Sequence, residues 1–306
     1  MICLYTMPGN APTAGALAAH LDGDYAVRCE PVSVHAFPDG ESMVQLPPPA
    51  PDTEAVLVCT LDRPDTKTVP LLAAAATLRE LGARRVGLVA PYLAYMRQDK
   101  RFAPGQAVSA RSYAALLSAH FDWLVTVDPH LHRIKQLSEV YALQSRVVHA
   151  APYLAEWIKA HVPRPLIIGP DDESEQWARD VAARINAPVL VLRKQRFGDT
   201  DVRVTVPELG HYPEHTPVLL DDIISSGRTL VGALEHLREA HSVPAVCVAV
   251  HGLLAGDAMA QIRAAGAAQI VCSTSVAHET ALIDISAALA EGVRELVAPR
   301  VTEVTA

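Results

Sequence analysis

Residues 218–229 hold the densest chemistry in the chain. Val218, Leu219 and Leu220 form an apolar run that ends in two adjacent carboxylates, Asp221 and Asp222. After Ile223 and Ile224 comes a small-residue loop of Ser225, Ser226, Gly227, Arg228 and Thr229, and Leu230, Leu234 and Leu237 then recur at helical spacing. A strand that breaks into hydroxyls and glycine before a helix offers a phosphate both backbone N–H groups and a helix N-terminus. The two acids cannot hold a phosphate, but they accept hydrogen bonds from vicinal sugar hydroxyls or help hold a divalent cation. Phosphate on the loop and hydroxyls on the acids suit a sugar phosphate. The competing reading is an acidic turn capping a core helix, which residues 225–229 disfavour.

Other chemistry-bearing residues also follow apolar runs. His130 with Asp171 or Asp128 can coordinate Mg²⁺ or Mn²⁺ alongside waters and phosphate oxygens. His130 and His132 would share one face of a strand, as in a metal-dependent hydrolase, but no second His pair at metal spacing accompanies them. Lys194 and Arg196 alone would be a solvated strand end. Beside a sugar-phosphate cradle, in a chain of net charge −8, they can stabilise charge developing on a transferring phosphoryl group. Arg97, Lys100 and Arg101, with Gln98 and Asp99 between them, form a second cationic cluster. Phe37, Pro38, Asp39, Gly40 and Glu41 read as a turn whose aromatic face can stack on a purine and whose carboxylates can accept from its amine or from ribose. Neither GxxxxGK[ST] nor GxGxxG occurs, so a nucleotide would not be held by either of those loops.

The elements that must position these groups are short β-rich runs at 55–59, 86–90, 123–127, 166–168, 189–192, 218–220, 246–250 and 269–272, with helical segments between them. Alternating strand and helix predicts an α/β fold with mainly parallel sheets, in which ligands bind beyond the carboxyl ends of strands. Leu71, Leu72, Ala75, Leu78 and Leu81 predict one core-facing helix, and Trp177, Val181 and Ile185 another. At 306 residues the chain has room for two domains, divided at 148/149. The net negative charge argues against a nucleic-acid partner, and no apolar run approaches the ~20 residues that span a bilayer. With no visible secretory signal, the expected location is the cytoplasm. The five cysteines show no metal spacing and read as reduced core thiols.

Together these residues resemble the ribose-phosphate diphosphokinase family, the synthetases of phosphoribosyl diphosphate (PRPP), across nearly the whole chain. Phe37, Asp39, Gly40 and Glu41 resemble the family's adenine-binding FxDGE loop, and Arg97, Gln98, Asp99 and Lys100 its ATP-binding RQDK. Residues 126–130 resemble its metal-binding segment, Lys194 and Arg196 the KxR of its catalytic flexible loop, and residues 221–229 its ribose 5-phosphate loop. The resemblance implies two tandem type I phosphoribosyltransferase-like domains, 1–148 with the ATP loops and 149–306 with the sugar-phosphate and catalytic loops; the last helix can pack back on the first domain. It implies transfer of the diphosphoryl group of ATP to the C1 hydroxyl of ribose 5-phosphate, with Lys194 and Arg196 catalytic. Arg196, Asp221, Asp222, Ser225, Ser226, Gly227, Arg228 and Thr229 would bind ribose 5-phosphate, and His130, Asp171 and Asp128 would bind Mg²⁺. It also implies a homo-oligomer, at least a dimer, whose adenine loop reaches a neighbouring site. The chain departs from the family pattern at Glu173-Ser174-Glu175, where a glycine pair is usual, at Ser225 and Arg228, and at Thr66-Lys67. The alternatives are a catalytically silent regulatory paralogue, which would typically have lost the Lys-x-Arg or metal residues, and a single-domain phosphoribosyltransferase, which needs no ATP loops.

Overall fold

The computed structural model describes residues 1–171, 174–197, 201–205, 209–240 and 243–297; for 193–197, 201–205, 239 and 240 the description is of backbone alone. The chain divides into two compact units, one of them His149–Ile285 and the other built from the two flanking stretches.

The first unit runs β1 (Ile2–Thr6), α1 (Ala11–Leu21), β2 (Val27–Pro31), β3 (Ser33–Ala36), β4 (Ser42–Gln45), β5 (Glu54–Val58), α2 (Pro64–Glu80), β6 (Arg85–Ala90), α3 (Ser109–Ser118), β7 (Trp123–Val127) and β8 (Gln144–Val148). Among the described residues its main sheet is six-stranded, ordered β2-β1-β5-β6-β7-β8 and parallel throughout. Every residue of β5 and β7 is buried, as expected where helices cover both faces of a parallel sheet. β3 and β4 leave this sheet and pair only with each other, antiparallel.

The second unit runs α4 (Ala151–His161), β9 (Pro165–Gly169), α5 (Glu175–Ile185), β10 (Val189–Val191), β11 (Arg193–Phe197), β12 (Asp201–Thr205), β13 (Thr216–Ile224), α6 (Arg228–Ala240), β14 (Val246–Gly252), α7 (Ala258–Ala264), β15 (Gln269–Ser273) and β16 (Ala281–Ile283). Its described sheet is also six-stranded and parallel, ordered β10-β9-β13-β14-β15-β16. β11 and β12 form a separate antiparallel hairpin. The final helix, α8 (Ser286–Val297), belongs to the first unit. Leu289 and Val293 are buried there, Arg85 Nη1 donates to Leu296 O at 3.1 Å, and Arg146 pairs with Glu295 at 2.9 Å.

Three expectations are corrected. The strand carrying the acid pair does not stop at Leu220: β13 continues to Ile224, because β14 supplies partners that far along, with Asp221 opposite Ala249 and Ile224 opposite Gly252. Leu81 is exposed, since α2 ends at Glu80 and the chain turns away there. On α5 the core face is Ala178, Val181 and Ala182, with Trp177 and Ile185 only half-buried; small residues sit where the helix comes closest to β9. The face of α6 is as expected, with Leu230, Leu234 and Leu237 all buried.

One packing constraint is severe. Trp123 is fully buried, and its indole N–H donates to the buried Glu54 carboxylate at 2.7 Å. The ring lies over Gly87, its neighbour on β6, where an added Cβ would sit 2.1 Å from the indole. A methyl group there displaces a rigid, hydrogen-bonded ring, so Gly87→Ala is expected to cost about 3 kcal/mol, at the upper end of overpacking effects. Urea unfolding checks this, and a change below about 1 kcal/mol would contradict the packing described.

Candidate active site

In the second unit three acids gather at the carboxyl ends of β9 and β13. Asp171 follows β9, and its carboxylate accepts the Ser174 N–H at 3.1 Å. Ser174 is buried; its hydroxyl donates to Asp171 O at 2.7 Å and accepts the Asp171 N–H at 3.2 Å. Where the family pattern has glycine, this chain has a serine that fixes the orientation of Asp171. Asp221 accepts the Asp222 N–H at 2.9 Å. Burial first, then the Asp222 carboxylate and its hydrogen bond, then the charge of Asp171, push the Asp221 carboxyl up to about 8, against a smaller opposing effect of the Asp222 N–H.

The loop after β13 is held from below. Leu254 N–H donates to Ile224 O at 2.9 Å and Ala255 N–H to Ser225 O at 3.0 Å, so the segment after β14 fixes the loop backbone. Leu254 adopts φ +43°, a left-handed conformation that a branched residue keeps only when its surroundings enforce it. Gly227 has φ +73°, and a Cβ there would lie 2.8 Å from Ile262 Cδ1 on α7. Glycine is therefore needed both for the turn and for close packing. Ser226 and Arg228 are exposed, Ser225 and Thr229 half-buried, and Val231 N–H bonds to Gly227 O to begin α6. Lys194 and Arg196, read from sequence as part of a flexible loop, lie in β11 opposite Val204 and Val202; their side chains fall outside the described residues, as do the whole of Asp172 and Glu173.

In the first unit the aromatic turn joins β3 to β4. Phe37 N–H donates to Glu41 O at 2.8 Å, Gly40 N–H to Phe37 O at 3.0 Å, and Glu41 N–H to the Asp39 carboxylate at 3.1 Å. Phe37 is 42% exposed, with His35 edge-on at 4.8 Å. Of the four residues at 97–100, Arg97 and Lys100 are exposed, whereas Asp99 is buried and Gln98 spends its amide on Lys100 O and Ala107 O at 3.4 and 3.3 Å. Tyr95, at φ +64°, introduces this loop and donates its hydroxyl to Asp65 of α2. Asp128 is buried at φ +28°, and its N–H donates to Val148 O at 3.1 Å. β7 stops at Val127, so His130 and His132 lack the strand that a paired-histidine hydrolase site assumed; their rings are 6.4 Å apart.

Residues 2–120 match the family model described as the N-terminal domain of ribose phosphate pyrophosphokinase, and residues 137–278 match the phosphoribosyl transferase domain. The chain belongs to the ribose-phosphate pyrophosphokinase family. It is 33% identical over 297 residues to the ribose-phosphate pyrophosphokinase of Methanopyrus kandleri, covering 97% of this chain and 99% of that one. It is 34% identical over 260 residues to the protein of the same name from Saccharolobus solfataricus, covering 83% of this chain and 88% of its relative. Among solved structures, phosphoribosylpyrophosphate synthetase from Mycobacterium smegmatis shares the fold at a TM-score of 0.82 and 23% identity, over 96% of this chain and 98% of that one.

Among the described residues no three His, Cys, Asp or Glu side chains form a ready-made metal cage. The donor chemistry nevertheless fits Mg²⁺ in this family member. The ion keeps several waters and binds through one or two carboxylates plus substrate phosphates, and Asp171, Asp221 and Asp222 supply oxygen donors whose mutual repulsion a cation would relieve. Sequence reasoning missed Ser174 as an orienting group, the support from Leu254 and Ala255, and the Tyr95 to Asp65 link. Only the last left a signal, a tyrosine just before the basic cluster.

The raised Asp221 carboxyl has a measurable consequence. Between its unfolded value near 4 and its folded value of about 8 the folded protein holds a proton that the unfolded chain has lost, so stability falls as pH rises through that window. Asp221→Asn in the ligand-free protein is expected to unfold at a higher temperature than wild type at pH 8, with the gain vanishing below about pH 4. A gain equal at both pH values would contradict the assignment.

Proposed function

We propose that this chain is an ATP-dependent ribose-phosphate diphosphokinase that transfers the diphosphoryl group of Mg-ATP to the C1 hydroxyl of ribose 5-phosphate, giving PRPP and AMP. The observation that carries this reading is the acid pair feeding a supported, glycine-turned loop at a helix N-terminus, in a chain whose relatives bear the ribose-phosphate pyrophosphokinase name over nearly their whole length.

The loop at 225–229 grips the 5-phosphate with backbone N–H groups at the start of α6, and Asp221 and Asp222 order the ribose hydroxyls. Arg97 and Lys100 meet ATP phosphates, and Phe37, Asp39 and Glu41 meet adenine. The C1 hydroxyl oxygen attacks the β-phosphorus and releases its proton to solvent, the bond to the oxygen bridging the α-phosphorus breaks, and AMP leaves with that electron pair. Lys194 and Arg196 neutralise the charge that moves toward AMP, a preorganised electrostatic effect. Mg²⁺ would supply charge neutralisation on ATP oxygens; in the second unit Asp171 with the acid pair would hold it, and in the first His130 and Asp128 would offer donors. The chain keeps the Lys-x-Arg and metal residues that a silent regulatory paralogue would have lost.

The β3–β4 hairpin, with Phe37 and 50%-exposed Met43, supports a homo-oligomer in which the adenine turn reaches a neighbouring copy. No described helix is long and apolar enough to cross a membrane. The cytoplasmic location we propose rests on the two charged substrates of the proposed reaction, ATP and ribose 5-phosphate.

AMP formation from ATP is expected to require both ribose 5-phosphate and Mg²⁺. Lys194→Ala should lower kcat by about 10²–10³, the scale of losing one preorganised donor, with an unchanged unfolding temperature. Near-normal turnover in that variant, or AMP release without the sugar phosphate, would sink the assignment.

A further inference from the structure

The buried carboxylate of Asp99 is fully engaged, and its partner lies in another loop. It accepts the backbone N–H of Arg133 at 3.1 Å, and Arg133 Nη1 donates to Oδ1 and Oδ2 at 3.1 and 3.4 Å. The Asp99 side chain is 3% exposed, which leaves it little surface to offer a ligand. The Arg133 guanidinium also stands 5.6 Å from the ring centre of Phe102, on which Lys100 Nζ lies at 5.1 Å. One arginine thus ties the basic loop at 97–102 to the segment that carries His130.

That segment is pinned at both ends. At its start Asp128 is fastened to β8 through its N–H on Val148 O. At its end Arg133 is fastened to Asp99 and is followed by buried Ile134, while the Lys135 and Gln136 N–H groups donate to Glu139 Oε1 at 3.0 and 3.2 Å. His130 and His132 lie between two fixed points. On the other side Gln98 and Gln106 organise the basic loop: Gln106 Oε1 accepts the Phe102 and Ala103 N–H groups at 3.1 Å each, and Arg101 Nε donates to Gln106 O at 3.0 Å. Each loop is ordered within itself, and the Asp99–Arg133 pair is a charged link between them.

We propose that Arg133 is a positioning residue, and that Asp99 serves it: the pair locks the nucleotide-side loop and the His130 segment into one rigid body rather than contacting ATP. The cations left facing solvent, Arg97 and Lys100, are then the members of the cluster that reach the phosphates. Asp99 is buried and takes both a backbone N–H and Nη1 from Arg133, so the contact fixes orientation as well as distance, and losing it leaves the buried Asp99 carboxylate uncompensated. This inference rests on the proposed reaction for its kinetic arm and on the fold alone for its exchange arm.

The test compares Arg133→Gln, Asp99→Asn and the double variant, with Arg133→Lys as a milder change should either single variant fold poorly. Each single variant should raise the KM for ATP about tenfold and leave the KM for ribose 5-phosphate unchanged, and the double variant should be no worse than either, as members of one unit are non-additive. Hydrogen exchange on the ligand-free protein should show faster exchange at both 97–102 and 129–132 in every variant, more mildly in Arg133→Lys. If Asp99 touched the nucleotide itself, Asp99→Asn would raise the KM for ATP while Arg133→Gln left it unchanged, and that result would overturn the proposal. So would wild-type exchange at 129–132 in Arg133→Gln. Absence of AMP formation by the wild type would overturn the proposed reaction instead, and the exchange comparison would still decide whether the pair locks the two loops.

Discussion

Parallel strand pairing dictates where this protein can do chemistry. A parallel sheet needs a crossover after every strand, so its faces are covered by helices and the middles of its interior strands are mostly apolar. In both units polar groups are thereby driven to the strand ends, and the loops leaving the carboxyl ends carry the reactive residues. Asp171 follows β9, the acid pair lies in the last residues of β13, the basic cluster follows β6 and His130 follows β7. The six-stranded order of each sheet brings β9 and β13 side by side, and β6 beside β7, so groups far apart in sequence become neighbours.

Asp221, Asp222 and Asp171 gather at neighbouring strand ends, and burial first, then the neighbouring carboxylates, push the Asp221 carboxyl up to about 8. A cation or hydroxyl donors would favour the ionised form of such buried acids. The supporting contacts point the same way. Leu254 in a left-handed conformation, Gly227 against Ile262 and Ser174 closing onto Asp171 each hold a loop in one shape before any substrate arrives.

Much of this was legible in the chain because it leaves local patterns. The helical face of α6, the apolar strands and the strand-loop-helix at 218–229 are all short-range signals. The misses are long-range. The end of β13 is set by its register with β14, and the face of α5 by how closely it approaches β9; neither has a signature within the segment itself. The resemblance places Asp99 in an ATP-binding loop; the contact the sequence does not show is with Arg133, thirty-four residues away, because an ion pair between loops has no spacing rule. Serine at 174 stands where the family pattern has glycine, and its hydroxyl and N–H bond to Asp171, which the sequence pattern alone does not show.

The central claim, that the β- and γ-phosphoryl groups move together to the sugar, is tested most directly by following label position. With ATP labelled in turn at the α-, β- and γ-phosphorus, ribose 5-phosphate and Mg²⁺, the account predicts that β and γ label appear together in the sugar product while α label stays in AMP. Sugar product carrying γ label alone, with ADP as the other product, would contradict it.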